Sequence, residues 1–302
     1  MMNEGVPFGG LRDRILVLRS LPTFAGLDDE ALTLVAEHGK TRRVKAGEEL
    51  VVEGSPITSV HIVLEGQILV TREGKQIALV EQARGVGMIP VLARETSSAR
   101  TVAVVTSTTL EIPVTVFLSA LLENFSLIRN LLRVMSTALL KIRGNLPVDP
   151  RKAVAAEMGE YYEGERTLVE KVIGISSLGG PFANGNMDAL IEMARNTKQI
   201  RVEPGHVFWK AGDAPIFSIR VTYGRVRCTN PEGVHVDVGS SFVLGAFDTW
   251  SGQPRPYTAE AETVVQAFQS NMEDFLPVME GHVDLAMELL SVLAKALLRT
   301  NT

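Results

Sequence analysis

The spacing of apolar positions changes along the chain, and the changes divide it. Leu11, Ile15, Leu18 and Leu21 recur at three- and four-residue intervals, which predicts an amphipathic helix ended by Pro22. Asp28, Asp29 and Glu30 open a second helix, acidic where the dipole favours it, with Leu32, Val35 and Ala36 as its stripe and Gly39 as its stop. From Thr41 to Pro113 the pattern shortens to β-rich runs at 49–53, 60–64, 67–72, 77–80 and 101–113, with Glu73-Gly74 as a hairpin turn. Short strands so spaced predict an antiparallel barrel or jelly roll. Helical periodicity returns over 114–122 and 126–143, where Leu127, Leu131, Val134, Met135, Ala138 and Ile142 supply the apolar positions, and Gly144 and Pro147 close the unit.

A shift of 158 residues lays the chain on itself without a gap. Glu30-Ala31-Leu32 falls on Asp188-Ala189-Leu190, Arg43-Val44 on Arg201-Val202, Gly47 on Gly205, Gly54 on Gly212, Val63 on Val221, Gly66 on Gly224 and Gly87 on Gly245. The expected fold class is therefore mainly β with α: two jelly-roll-type β-barrels, each flanked by N- and C-terminal helices. The division that follows is an N-terminal helix at 1–22, a first domain at 23–145, a helical connector at 146–181 and a second domain at 182–302. The connector is expected to be helical, with a break allowed, because Asp149-Pro150 reads as a helix start and 151–173 is rich in Ala, Glu and Lys. Tyr161-Tyr162 and Gly164 lie within it, and Gly179-Gly180-Pro181 reads as a flexible corner before the second domain. A last helix over 283–298 carries Leu285, Leu289, Leu293 and Leu297 at four-residue spacing, a stripe that suits either a core or the seam of a homodimer.

Composition narrows the classes of function. The 302 residues are 45% hydrophobic and 22% charged, enough to bury two ordinary cores. The net charge is −5, with 30 basic residues against 35 acidic, so there is no large cationic surface, and nucleic acid is not an expected partner. The single cysteine, Cys228, excludes an internal disulfide, fits a reducing compartment and reads as a buried small hydrophobe. Arg12, Asp13, Arg14 and Arg19 interrupt the apolar N-terminal stretch, which reads as neither a signal peptide nor a membrane span. A cytoplasmic protein with no membrane partner is expected.

The stretch with the most chemistry is Gly245-Ala-Phe-Asp-Thr-Trp-Ser-Gly-Gln-Pro-Arg-Pro-Tyr-Thr258. A helical turn opened by glycine offers unpaired backbone N–H groups, and Arg255 adds a permanently charged, forked donor. This order resembles the phosphate-binding cassette of cyclic nucleotide-binding domains, and the glycine framework of both repeats resembles the barrel of that family. The resemblance implies that Gly245, Ala246, Phe247, Arg255, Tyr257 and Thr258 form the second pocket, with Arg255 in the place of the phosphate arginine. Ala246 stands where the family has the ribose-binding glutamate. Phe247 and Trp250 add bulk that stacks on a base or plugs the cavity. The first copy departs further: Gly87 is followed by Met88, and aligning Thr101 with the family's threonine puts Ser98, next to Ala99, where the arginine belongs. Pro90 removes a backbone donor, and Arg94 and Arg100 read as surface arginines.

Catalysis is not expected. His38, His61, His206, His235 and His282 show no zinc-ligand spacing, and neither a Gly-x-Ser-x-Gly nor a Walker-type loop occurs. No helix-turn-helix follows either barrel. The sequence thus reads as a non-enzymatic regulatory or adaptor protein that works through protein contacts, with degenerate pockets, the first more so than the second. The alternative is a sensor that takes cyclic AMP, cyclic GMP or another anion in the second pocket only. A cyclic nucleotide is the one candidate cofactor, and a protein is the expected partner.

Overall fold

A computed structural model describes residues 10–152, 155–177, 182–183, 186–240 and 242–300. The Gly179-Gly180-Pro181 corner lies outside them. The first repeat runs α1 (Leu11–Ser20), α2 (Asp29–His38), β1 (Lys40–Val44), β2 (Glu49–Val51), β3 (Ser59–Glu65), β4 (Ile68–Arg72), β5 (Lys75–Val80), β6 (Gly85–Val86), α3 (Met88–Ala93), β7 (Arg100–Ala103), β8 (Ser107–Pro113), α4 (Val114–Glu123) and α5 (Phe125–Ile142). After α6 (Leu168–Ser176), the second runs α7 (Met187–Arg195), β9 (Lys198–Val202), β10 (Val207–Trp209), β11 (Phe217–Tyr223), β12 (Val226–Thr229), β13 (His235–Val238), β14 (Val243–Leu244), α8 (Ala246–Ser251), β15 (Thr258–Ala261), β16 (Val265–Asn271), α9 (Met272–Gly281) and α10 (Val283–Thr300). Lys198 begins β9 158 residues after Lys40 begins β1, and the same offset carries β8 onto β16, α3 onto α8 and α5 onto α10.

Each barrel is a jelly roll of two antiparallel four-stranded sheets, ordered β1-β8-β3-β6 with β2-β7-β4-β5, and β9-β16-β11-β14 with β10-β15-β12-β13. Register repeats as well: Lys40 faces Glu111, and Lys198 faces Gln269. Alternation sets what goes inside. Val44, Val63, Ile68, Val86 and Ala103 fill the first barrel, and Ile219, Val221, Cys228, Leu244 and Ala261 are among the residues that fill the second. The run expected as one strand over 101–113 is instead two, because β7 and β8 belong to opposite sheets; the chain crosses between them at 104–106, where Val104 and Val105 are exposed. The second helix forms as its capping pattern predicts, with Asp28 Oδ1 accepting from the Ala31 N–H at 2.8 Å and Gly39 ending α2.

Two compact units emerge, one formed by 1–131 with 290–302 and the other by 132–289. The sequence-based boundaries at 145 and 182 fall in the linker, whereas these units divide inside α5 and α10. Within the first unit, Arg72 Nη1 donates to the Leu298 carbonyl at 3.0 Å. Within the second, Asn230 Nδ2 donates to the Gly144 carbonyl at 3.1 Å. A strand-end residue of each barrel thus binds a carbonyl at or just beyond the C-terminal end of a long helix.

The expected helical connector is corrected. Between a short 3-10 turn at Pro150–Lys152 and α6, residues 155–167 form a non-helical strap on the second barrel. Gly159 bridges Tyr223, Gly224 donates to the Met158 carbonyl at 2.7 Å, and Ser240 donates to the Glu157 carbonyl at 2.8 Å. Two glutamine amides of the paired strands β16 and β9 hold its backbone. Gln266 accepts from the Tyr162 N–H at 2.9 Å and donates to the Tyr162 carbonyl at 2.6 Å. Gln199 accepts from the Arg166 N–H and donates to the Gly164 carbonyl, both at 2.8 Å. Helix begins only at Thr167, whose capping box with Glu170 is complete. Local helix propensity loses here because the barrel satisfies the strap's backbone groups, and Gly159 and Gly164 sit at φ +75° and +88°.

Gly239 tests this attachment, since a Cβ there would lie 2.1 Å from the Glu157 oxygen. Gly239→Ala is expected to detach 157–166, read as lost hydrogen-exchange protection in the strap while β11 and β16 keep theirs; unchanged strap protection would refute the assignment.

Candidate functional site

The second cassette is built as its residues predict, and then closed by one that sequence reasoning did not weigh. Gly245 ends β14 at φ +80°, a left-handed turn that lets Ala246 start α8. A side chain at this position would also collide with Arg255, whose Nη1 lies 2.6 Å from where the Cβ would be. Arg255 is fixed through its backbone to the loop before β11: its N–H donates to the Asp213 carbonyl at 2.8 Å, and its carbonyl accepts from Gly212 at 2.8 Å.

Its guanidinium points inward. The Arg255 side chain is 0% exposed, and Nη1 pairs with Asp248 Oδ2 at 2.5 Å, the Asp248 side chain being 1% exposed. Nη1 also donates to the Gly245 carbonyl at 3.2 Å, Nη2 donates to the Phe217 carbonyl, and the guanidinium lies 4.1 Å from the centroid of the Trp209 ring. Burial raises the Asp248 carboxyl above the ordinary carboxylate range, while the charge of Arg255 and its hydrogen bond pull it down. The forked donors expected to face a phosphate are thus engaged by a carboxylate and two carbonyls of the same chain. A phosphate would have to displace Asp248 and leave it unpaired, a cost of about 3–5 kcal/mol, or about a thousandfold in affinity.

The other predicted residues of this pocket fall around that pair. Tyr257 is buried, accepts from the Gly245 N–H at 3.2 Å and has its phenol pushed up first by burial. Thr258 accepts from the Ala211 N–H at 3.1 Å through its hydroxyl. Ala246 is half-buried and carries no polar group. Phe247 lies beside Arg143 at 5.0 Å and Trp250 packs edge-on against Phe275 at 5.6 Å, so Trp209 and Phe217, not these two, are the aromatics against the arginine.

The first cassette has no arginine at the corresponding place. Gly87 opens α3 at φ +88°, and Met88 turns its methyl towards Gly85, 2.4 Å from where a Cβ would sit. The alignment that put Ser98 in the arginine's place is corrected by one residue. Gly54 donates to the Ser97 carbonyl and Ser97 to the Ser55 carbonyl, at 2.7 and 3.0 Å, the same pair of bonds that Arg255 makes with Gly212 and Asp213. Ser97 is therefore the counterpart of Arg255; it is buried and donates to the Ala99 carbonyl at 2.6 Å. Ser98 instead accepts from Arg72, at 2.8 Å through its hydroxyl and 3.0 Å through its carbonyl. Thr101 is buried and its hydroxyl has no partner. Arg94 is exposed, and Arg100 pairs with Glu49 at the surface. Arg72 was not legible as a site residue, because its partners lie 26 and 226 positions away.

The two barrels share one architecture, and each carries a glycine-opened cassette at the same place in it. The family model described as the cyclic nucleotide-binding domain matches residues 41–124. No curated protein matches the chain. Among solved structures, the chain is similar to the regulatory subunit of a cAMP-independent protein kinase A from Trypanosoma brucei, at 14% identity over 89% of this chain and 86% of that one, with a TM-score of 0.35. It is similar to the regulatory domain of Toxoplasma gondii protein kinase A in complex with cAMP, at 13% identity over 94% and 96%, with a TM-score of 0.35. A third is the sensor domain of the transcriptional regulator DNR from Pseudomonas aeruginosa, at 20% identity over 43% and 91%, with a TM-score of 0.40.

Proposed function

We propose that this is a non-enzymatic regulatory or adaptor protein whose barrels act through protein–protein contacts and whose cassettes are closed to cyclic nucleotides. The observation that carries the reading is the buried Arg255–Asp248 pair, which occupies the group a cyclic phosphate would need. The absence of any arginine at Ser97 supports the same reading for the first barrel. The second reading, a sensor that uses the second pocket alone, is favoured by one feature: the left-handed Gly245 and α8 keep the shape of an anion cradle.

Calorimetric titration of the full chain with cyclic AMP and cyclic GMP separates the two. No saturable heat and no thermal stabilisation are expected. Binding at one site per chain, lost in Arg255→Lys, which keeps a charge over Asp248 but not the fork, would establish the sensor and overturn the adaptor reading.

A further inference from the structure

Outside the second barrel, the strap, α6 and the outer face of the β9-β16-β11-β14 sheet enclose a cleft of about 250 Å³, lined by Arg166, Arg220, Glu160, Glu170, Ile173 and Phe268 among others. Two of its guanidinium groups have unmet donors. Arg220 donates through Nη1 to the Gly174 carbonyl and through Nη2 to Ser177 Oγ at 3.2 Å, while its Nε is buried with no partner. Arg166 lies 4.4 Å above the Tyr162 ring, and its guanidinium has no hydrogen bond or ion pair among the described residues. The two cations are close enough that the charge of Arg166, after burial, lowers the Arg220 pKa.

The carboxylates in the cleft offset that positive charge only in part: Arg166 acts on Glu170 through space, but its guanidinium bonds neither carboxylate. Glu170 spends its hydrogen bonds elsewhere, accepting from Tyr162 Oη at 2.9 Å and from the Thr167 N–H and hydroxyl at 2.7 and 2.8 Å. Glu160 is exposed and forms no ion pair with either arginine. Like charges gathered in a half-buried cleft with free N–H groups are the arrangement that an oxyanion neutralises. We propose that this cleft binds a small doubly charged oxyanion, inorganic phosphate or the phosphate of a monoester, between the guanidinium groups of Arg166 and Arg220, with Phe268 and Ile173 as the apolar wall for the ester group. The site lies outside the barrel interior and does not depend on the state of the Arg255 cassette.

The test is calorimetry of the full chain at low ionic strength with inorganic phosphate and, separately, phenyl phosphate. One saturable site is expected for both, tighter for phenyl phosphate. Arg166→Gln is expected to weaken it by at least about tenfold, the scale of one lost charge-assisted pair of hydrogen bonds. Glu160→Gln is expected to tighten it by removing the nearby negative charge. An unchanged melting point of ligand-free Arg166→Gln shows that the fold is intact. No saturation with either anion, or equal affinity in Arg166→Gln, would overturn the proposal. So would binding lost in Arg255→Lys and kept in Arg166→Gln, which would place the anion in the cassette.

Discussion

Arg255→Ala is expected to destabilise the unit 132–289 by about 3–5 kcal/mol, a fall of about 10 °C in its melting point, because it leaves the Asp248 carboxylate buried without its counter-ion. The paired change Arg255→Met with Asp248→Leu is expected to recover most of that loss, since a buried ion pair exchanged for apolar side chains of similar volume costs little. The single variant also acquires a pH signature. Burial already raises the folded Asp248 pKa above its ordinary 3.8, and removing Arg255 removes the group that holds it down. The folded variant then takes up a proton where the unfolded chain remains ionised. Its stability deficit is smallest in acid, below the unfolded value, and grows as pH rises through the folded one. Equal losses in the single and paired variants, by chemical denaturation at neutral pH, would show that the pair is not what the site depends on.

A drop of about 3 kcal/mol is expected in the first unit between pH 7 and pH 4, and His61 is its source. His61 is 2% exposed inside the first barrel, its ring 3.4 Å from the Thr109 hydroxyl. Burial pushes its pKa from 6.5 to about 4, with Glu111 pulling it up and Arg42 adding to the fall. The folded state therefore stays neutral while the unfolded chain charges, so the full stability is present above about 6.5 and is lost as pH falls towards 4. The second repeat supplies the control: 158 residues on, the position is Ile219, fully buried. His61→Ile is expected to flatten the dependence in this window, measured by urea denaturation across the range. A slope unchanged in the variant would assign the loss to another group.

Both predictions rest on features that sequence reasoning reached unequally. The repeat was legible because glycines and alternating apolar residues are local signals, and its offset survives in the strand registers and in φ at Gly66 and Gly224, +95° and +93°. The strap was not, because Ala, Glu and Lys favour helix locally while the opposing partners, Gln199 and Gln266, lie 33 and 104 positions away. At the cassette, Arg255 was found by spacing, but its orientation was not. Asp248, three residues after Gly245, was the available signal: an acidic side chain in a cradle shaped for an anion competes for the same arginine. In the first copy, the threonine match misled by one residue, whereas the 158-residue offset already carries Arg255 back onto Ser97, in agreement with the backbone bonding.

The compact units divide inside α5 and α10, and that decides what a cut at the linker would separate. Two copies that began as separable modules would be cut at the linker, yet a chain severed after residue 145 leaves its N-terminal fragment without 290–302, and so without the Leu298 carbonyl that Arg72 binds. An exchange of repeats at the linker would therefore part Arg72 from the carbonyl it binds, whereas one that carried the last turns of α10 along with the first barrel would keep that bond.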